Sequence, residues 1–367
     1  MKLGLFTQPL HALGRPLAQV MLEDKEFIQL ADRLGYVEAF IGEHVTDAAE
    51  VITDSMMFIA WLLDTTKNIK LGTGTLNMPN HHPARVAASI AMLDHMSNGR
   101  LMMGISPGGL LSDAEVFGNL DANRNEMFLE CINQVLEIWE SEAPYDIKGK
   151  YWNVQTTRTF LPEIGQGFIH KPLQQPHPPI VVTAVAPHSQ GITAAAVRGW
   201  DPLSAHFVPT WIVKSHWPKY VEGCEQGGRV ADPANWRVAK SIFVSEDMET
   251  ARRYATEASG PYHNYYRSVV TKLVGNGRAN VFKKDPSMPD SAVTVESVID
   301  QVVIWGTPDK VADEILAYRD EIGDFGTLLY AGHDWVDRDL AIRSVELMAE
   351  RVMPRVNAQL DSGRVAA

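Results

Sequence analysis

Six short polar clusters carry most of the residues able to do chemistry in this chain, and each follows an apolar, strand-like run. They are Gly42-Glu43-His44, Asn77 with His81-His82, Ser106-Pro107-Gly108-Gly109, Ala184-Val185-Ala186-Pro187-His188-Ser189, Ser204 with His206, and Gly332-His333-Asp334. His44 sits directly behind its strand, and an imidazole with an ordinary pKa of about 6.5 gives or takes a proton at physiological pH. On position alone it is equally a residue that orders a loop. Glu43 beside it reads as a structural hydrogen-bond acceptor rather than an acid. The cluster over 184–189 leads into a helix, an arrangement that binds phosphate: open backbone N–H groups at a helix N-terminus, with the Ser189 hydroxyl and the His188 imidazole at the lip. The plainer reading makes Ser189 an N-cap. His81-His82 invites a metal reading, which fails because adjacent side chains do not both face one site in regular structure and no further ligand lies at zinc spacing. Gly72-Thr73-Gly74-Thr75 reads as a strand ending in a bulge.

A strict alternation of strand and helix positions these clusters. The pattern predicts strands over 2–7, 37–41, 69–73 and 100–105, separated by helices over 23–34, 55–65 and 83–96. After a helix over 125–139 and a hairpin over 145–154 come strands over 180–183, 200–203, 237–244 and 325–330, with helices over 189–198, 210–225, 248–258, 308–322 and 340–352. Punctuation agrees: Gly35 and Gly323 stop helices, Pro83 opens one, and Asn98-Gly99 turns the chain back into a strand. Single helices between parallel strands impose right-handed crossovers, and the length of the series favours closure, giving an α/β fold of the (β/α)8 TIM-barrel type. In such a barrel function sits at the C-terminal ends of the strands, where all six clusters lie.

The chain, at 367 residues with 45% apolar and 21% charged composition, exceeds the roughly 250 residues typical of this barrel. One domain over 1–367 is therefore expected, with insertions at about 106–124, 144–179 and 261–293; the last, rich in Tyr, Asn, Lys and Gly, reads as the least regular part and as a lid. A net charge of −12 without a run of five like charges argues against nucleic-acid and anionic-membrane partners. The first strand follows Met1-Lys2 with no leader, no apolar run reaches membrane-spanning length, and Cys131 and Cys224 lack disulfide or metal spacing, so a soluble cytoplasmic protein is expected. No G-x-G-x-x-G follows an early strand, and neither a P-loop, a nucleophile elbow nor a zinc motif is present.

Taken with Gly42-Glu43-His44 and Thr183 to Ser189, the stretch KLGTGTLNMPNHHPARVAASIAMLDHMSNGRLMMGISPGG over 70–109 resembles the bacterial-luciferase-like flavin monooxygenases, most closely their limonene-type branch, and the resemblance runs nearly end to end. It implies a luciferase-like barrel in which reduced FMN binds and O2 adds at flavin C4a. The resulting C4a-(hydro)peroxyflavin passes one oxygen to a small apolar organic substrate, a terpenoid alkene or a cyclic ketone. An alkene calls for the protonated, electrophilic form and a ketone for the deprotonated, nucleophilic one; His44, in the family's position beside the flavin ring, is carried over as the catalytic residue that biases either. Gly74-Thr75 falls where family members carry a non-prolyl cis peptide beneath the flavin, Asn77 where it would bond the pyrimidine edge, and Ala184, Val185, Ala186, His188 and Ser189 where the phosphate is held. The chain departs from luciferases at Ser106, counted with the cofactor-binding residues, because Ser106-Pro107-Gly108-Gly109 stands where they supply a phosphate-binding arginine. The positive charge then comes from His188, Arg158 or Lys171, or amides and hydroxyls suffice.

Without a nicotinamide domain, an enzyme of this kind receives FMNH2 from a separate flavin reductase. The resemblance also implies a homodimer through the helices that carry Met56, Met57, Phe58, Trp61, Met92 and Met96. Two alternatives stay open: an F420-dependent oxidoreductase on the same barrel, passing hydride, and a non-catalytic flavin-binding protein.

Overall fold

The computed structural model describes residues 1–8 and 10–365. Eight strands form the barrel: β1 Lys2–Thr7, β2 Glu38–Ile41, β3 Lys70–Thr73, β4 Leu101–Ser106, β5 Ile180–Ala184, β6 Asp201–Ser204, β7 Arg237–Val244 and β8 Thr327–Ala331. They run in the order β7, β8, β1, β2, β3, β4, β5, β6, with β6 paired back to β7, so the parallel sheet closes as a (β/α)8 barrel. By its internal contacts the chain divides into two compact units, Met1–Ala39 with Val182–Ala367, and Phe40–Val181.

In the first unit β1 runs beside β8 with Lys2 opposite Thr327, and β7 lies on the other side of β8 with Arg237 opposite the same threonine. Leu5, Val238, Ala239, Leu328 and Leu329 are buried, as expected of a parallel sheet covered by helices. A further short strand, Val303–Gly306, extends β7 from Ser241 onward. The first helix begins at Leu17, behind Pro16, rather than at residue 23, and ends where Gly35 takes a φ of 82°. The expected helix over 210–225 is two, Thr210–Lys214 and His216–Gln226, meeting at Ser215, whose hydroxyl donates to the Ile212 carbonyl.

The stretch over 261–293 is more regular than expected. Pro261–Gly275 is a 15-residue helix entered through Pro at its first turn. Its buried face is Tyr262, Tyr265, Tyr266 and Val270, an i, i+3, i+4, i+8 stripe. Tyrosines that read as polar loop residues in the sequence supply an apolar face, because each presents a hydrophobic ring behind its hydroxyl. A capping box of Thr294 and Ser297 then opens a second unexpected helix, Val295–Val302.

In the second unit β3 pairs with β4, Leu71 opposite Leu101, and the two-residue strand Leu76–Asn77 lies on Ile105 and Ser106. The strands approach closely at Gly104, where a β-carbon would stand 2.0 Å from the Thr73 carbonyl oxygen. Asp54 caps the helix Ser55–Leu62 and Asn123 caps Arg124–Glu140. The long connection before β5 is anchored by Gln174, whose backbone N–H and side-chain amide each donate to the buried Asp94 carboxylate at 2.7 Å. The expected hairpin is present as Asp146–Lys148 against Asn153–Gln155. Among the described residues no helix is long and apolar enough to cross a membrane.

Candidate active site

In the second unit, Gly42-Glu43-His44 leaves the end of β2. His44 Nδ1 lies 2.8 Å from Asp113 Oδ2, while Asp113 Oδ1 accepts from the Val45 and Thr46 backbone N–H groups at 3.2 and 2.9 Å and from the Thr46 hydroxyl at 2.6 Å. Burial alone would raise the Asp113 carboxyl, but the bonds from His44 and Thr46 outweigh it and hold the group below the usual carboxylate range. An ionised carboxylate only accepts, so His44 carries its proton on Nδ1 and leaves the Nε2 lone pair for other partners. Nε2 stands 3.7 Å from Glu50 Oε2. Asp113 belongs to the short helix Leu111–Val116, inside the expected insertion at about 106–124, and the only trace it leaves in the sequence is a carboxylate in that insertion after β4.

Glu43 is a hub. Its Oε2 accepts from the Ser55 backbone N–H at 2.9 Å and hydroxyl at 2.6 Å, and its Oε1 from the Asn77 backbone N–H at 3.2 Å, with His81 Nε2 at 3.4 Å. Burial pushes this carboxyl up, and His81 and Ser55 more than reverse the effect, so Glu43 is an ionised acceptor in the core. His81 is thereby engaged, and His82 caps the next helix by accepting from the Ala84 N–H, which accounts for the adjacent histidines without a metal.

The Gly74–Thr75 peptide is cis, and a β-carbon on Gly74 would lie 2.9 Å from the Ile41 backbone nitrogen. The Thr75 hydroxyl donates to Ser106 Oγ at 2.6 Å, Ser106 donates to Asn77 Oδ1 at 3.1 Å, and the Gly108 N–H donates to Ser106 at 3.1 Å. Thr75, Asn77 and Ser106 are thus one hydrogen-bonded chain at the ends of β3 and β4. Asn77 is buried and its amide Nδ2 also donates to the Glu43 carbonyl at 3.4 Å.

In the first unit, β5 runs out through Ala184 into a turn whose residues Ala186, Pro187 and His188 are exposed, and then into the helix Gln190–Val197. His188 has a φ of 50°, in the left-handed region, and its backbone N–H donates to Ser215 Oγ at 2.9 Å. The Ala186 carbonyl accepts from His216 Nε2 at 3.0 Å, and His216 Nδ1 accepts from the Ser204 hydroxyl at 2.8 Å, which in turn accepts from Trp236 Nε1 at 3.0 Å. Burial pulls His216 down to about 4, so the ring is neutral and acts as a brace. Ser189 is the N-cap residue of that helix, as the plainer reading has it, but its side chain makes no capping bond. Thr183 Oγ1, at the head of the turn, is buried without a hydrogen-bond partner among the described residues. Exposed backbone at the helix mouth, the Ser189 hydroxyl and this orphaned oxygen fit a phosphate-bearing ligand. Ser215 and His216 were invisible to strand-end reasoning because they lie at a helix junction.

The remaining clusters separate. Asp334 accepts from Arg15 at 2.5 Å and faces His11 Nδ1 at 2.7 Å, while His11 Nε2 meets Asp24 at 3.1 Å. His11, Glu23 and Asp334 have ligand spacing for a cation, but Arg15 already bridges Glu23 and Asp334. Cys131 and Cys224 are both buried, and burial pushes the Cys131 thiol up to about 12. Lys171 pairs with Glu142 at 2.5 Å.

The family pattern described as "Luciferase-like monooxygenase" matches residues 1–324. The chain belongs to the luciferase-like monooxygenase family. It is thus an oxidoreductase of the oxygen-incorporating class. Among the relatives of this luciferase-like chain, 4-hydroxyprotoasukamycin monooxygenase of Streptomyces nodosus subsp. asukaensis is 29% identical over 364 residues, covering 98% of this chain and 93% of the relative. Limonene 1,2-monooxygenase of Rhodococcus erythropolis is 26% identical over 358 residues, covering 97% and 87%. A solved structure of the oxygenating constituent of 3,6-diketocamphane monooxygenase from Pseudomonas putida, a type II Baeyer-Villiger monooxygenase in complex with FMN, superposes with a TM-score of 0.85 at 27% identity, covering 97% of this chain and 98% of that one.

Proposed function

We propose that this protein is the oxygenase component of a two-component system that takes reduced FMN from a separate flavin reductase and uses O2 to oxygenate a small apolar organic molecule, a terpenoid alkene or cyclic ketone. The observation that carries this reading is the near full-length similarity to an FMN-bound oxygenating constituent. Reduced FMN, when bound, supplies the electrons that activate O2.

The chain's own residues do the rest. Gly74, Thr75, Asn77 and Ser106 would hold the flavin ring system. The backbone of Ala184, Val185 and Ala186, with His188 and the Ser189 hydroxyl, would hold the phosphate, with His216 and Ser215 keeping the turn in shape. His44 would hold or deliver a proton at Nε2, its tautomer fixed by Asp113. Exposed Met57, Trp61, Met92 and Met96 on neighbouring helices support a homodimer, in which a second copy would cover them. The chain as a single domain over 1–367 belongs to the same proposal.

The test is to supply the protein with FMN, a flavin reductase and NADH under 18O2, with a panel of cyclic alkenes and ketones. One labelled oxygen per product molecule is expected. Product formation with F420 in place of FMN, and without label, would replace this reading by hydride transfer.

A further inference from the structure

A second polar cluster in the first unit takes no part in any role assigned so far. Its members come from the C-terminal ends of β1, β6 and β8, from within β7, and from the helix Pro261–Gly275: Gln8, His206, His333, Ser241, Tyr265 and Tyr266. They form two chains. His206 Nε2 lies 2.7 Å from the Tyr265 hydroxyl, which donates to Gln8 Oε1 at 3.3 Å. His333 Nε2 lies 3.1 Å from Ser241 Oγ, which is 2.7 Å from the Tyr266 hydroxyl. The chains meet where the His333 ring stacks on Tyr265, centroids 4.0 Å apart and planes 18° apart, and the two imidazoles lie 5.9 Å apart.

Each chain ends in an imidazole nitrogen that is used for nothing. Nδ1 of His206 and Nδ1 of His333 are buried with no hydrogen-bond partner among the described residues, although the rings are only 1% and 8% exposed. A buried nitrogen left unpaired costs free energy, and two of them at the ends of otherwise satisfied networks call for a partner. Both rings are uncharged: burial, with the Lys240 charge adding to it, pulls His206 down to about 3, and burial holds His333 well below the usual range. Lys240, the buried cation of β7, lies over the Tyr318 ring at 4.8 Å. A carboxylate or phosphate would find no charged partner in the cluster, and a plain hydrocarbon would leave both nitrogens unpaired. Because the Tyr265 hydroxyl donates to Gln8, neutral His206 carries its proton on Nε2 and its Nδ1 is a lone pair that a hydroxyl group fills. His333, whose Ser241 partner can donate or accept, can carry a proton on Nδ1 for a ketone or hydroxyl oxygen.

We propose that His206 and His333 form the polar end of the substrate site, where His333 Nδ1 hydrogen-bonds a ketone or hydroxyl oxygen on an otherwise apolar substrate and His206 Nδ1 accepts from a hydroxyl group. This deepens the monooxygenase reading and rests on it for the word substrate, but the binding claim is tested separately.

The experiment is calorimetric titration of the FMN-loaded protein with a panel of mono- and bicyclic ketones and the alcohols and hydrocarbons of the same skeletons. The native protein is expected to bind at least one ketone about tenfold more tightly than its hydrocarbon, the factor associated with one buried hydrogen bond. In His333→Phe, which keeps the stack on Tyr265, that preference vanishes, whereas His206→Phe leaves it in place and lowers only the affinity for the alcohol of the same skeleton, severalfold. His333→Asn and His333→Gln separate binding from scaffolding: Asn keeps a polar atom near the Nδ1 position and retains the preference, whereas Gln keeps one near Nε2 and loses it. Equal ketone and hydrocarbon affinity in the native protein, no binding of any panel member, a preference untouched by His333→Phe, or an alcohol affinity untouched by His206→Phe overturns the proposal. FMN affinity measured on the same samples tells a failure of the monooxygenase reading from a failure of this one.

Discussion

Replacing Asp113 by Asn changes a single functional group at the centre of the proposed proton chemistry. The native carboxylate is buried, takes the His44 Nδ1 proton at 2.8 Å and accepts three more bonds from Val45 and Thr46. Asn can still accept from the 45–46 backbone through its oxygen, but it presents an NH2 group to His44. Two donors cannot share that contact, so the imidazole must move its proton to Nε2, the nitrogen that has to exchange protons. The stability loss should be that of one charge-assisted hydrogen bond, roughly 1.5–3 kcal/mol, read as a shift of the urea midpoint. Turnover should fall much further, by roughly 10²- to 10⁴-fold, the range for an acid/base group put out of action, with FMN affinity little changed. His44→Ala should give a similar loss of turnover. Because the folded Asp113 carboxyl is held low, its contribution to stability is present above the ordinary carboxylate pKa of about 3.9 and is lost as pH falls through the folded value, so native and Asp113→Asn proteins should converge in stability in acid. Turnover of Asp113→Asn within about twofold of native, at unchanged FMN affinity, would refute the assignment of the tautomer, because losing a general acid/base group typically costs roughly 10²-fold or more.

Three further outcomes follow from the same structure. Burial alone would lower His11, but Asp24 and Asp334 raise it to about 9; its stabilising effect is therefore complete below about 6.5 and fades as pH rises through 9, so Tm should fall across that window in the native protein and hardly at all in His11→Gln. His188→Ala should weaken FMN severalfold more than riboflavin in parallel titrations; equal losses would place His188 away from the phosphate. Cys131, with its thiol pushed up to about 12, should resist a thiol-disulfide reagent at neutral pH in the folded protein and react promptly in urea, and Cys131→Ala should leave oxygenation intact.

Much of the barrel was legible because parallel strands buried on both faces leave continuous apolar runs, and helix punctuation such as Gly35, Pro83 and Gly323 acts locally. The helix Pro261–Gly275 was not, since its buried face is made of tyrosines, whose hydroxyls find partners only in the tertiary structure. The site shows the same division. His44, Gly74-Thr75 and the turn over 184–189 follow strands and could be picked out one by one. Asp113, Ser215 and His216 could not, because their meaning lies in distances to residues 69, 27 and 30 positions away. Glu43 shows how a reading of type alone gains content: expected to be an acceptor, it is one for Ser55, Asn77 and His81 together.

The claim that the protein is an FMN-dependent oxygenase is tested most directly by titrating it anaerobically with reduced FMN and, separately, with reduced F420, then mixing each complex with O2 and following the return of oxidised cofactor. The account predicts binding of reduced FMN and a delayed, protein-controlled appearance of oxidised FMN that an oxygenatable substrate speeds up. Binding of F420 alone with no reaction with O2, or oxidation of FMN at the rate seen without protein, would contradict it.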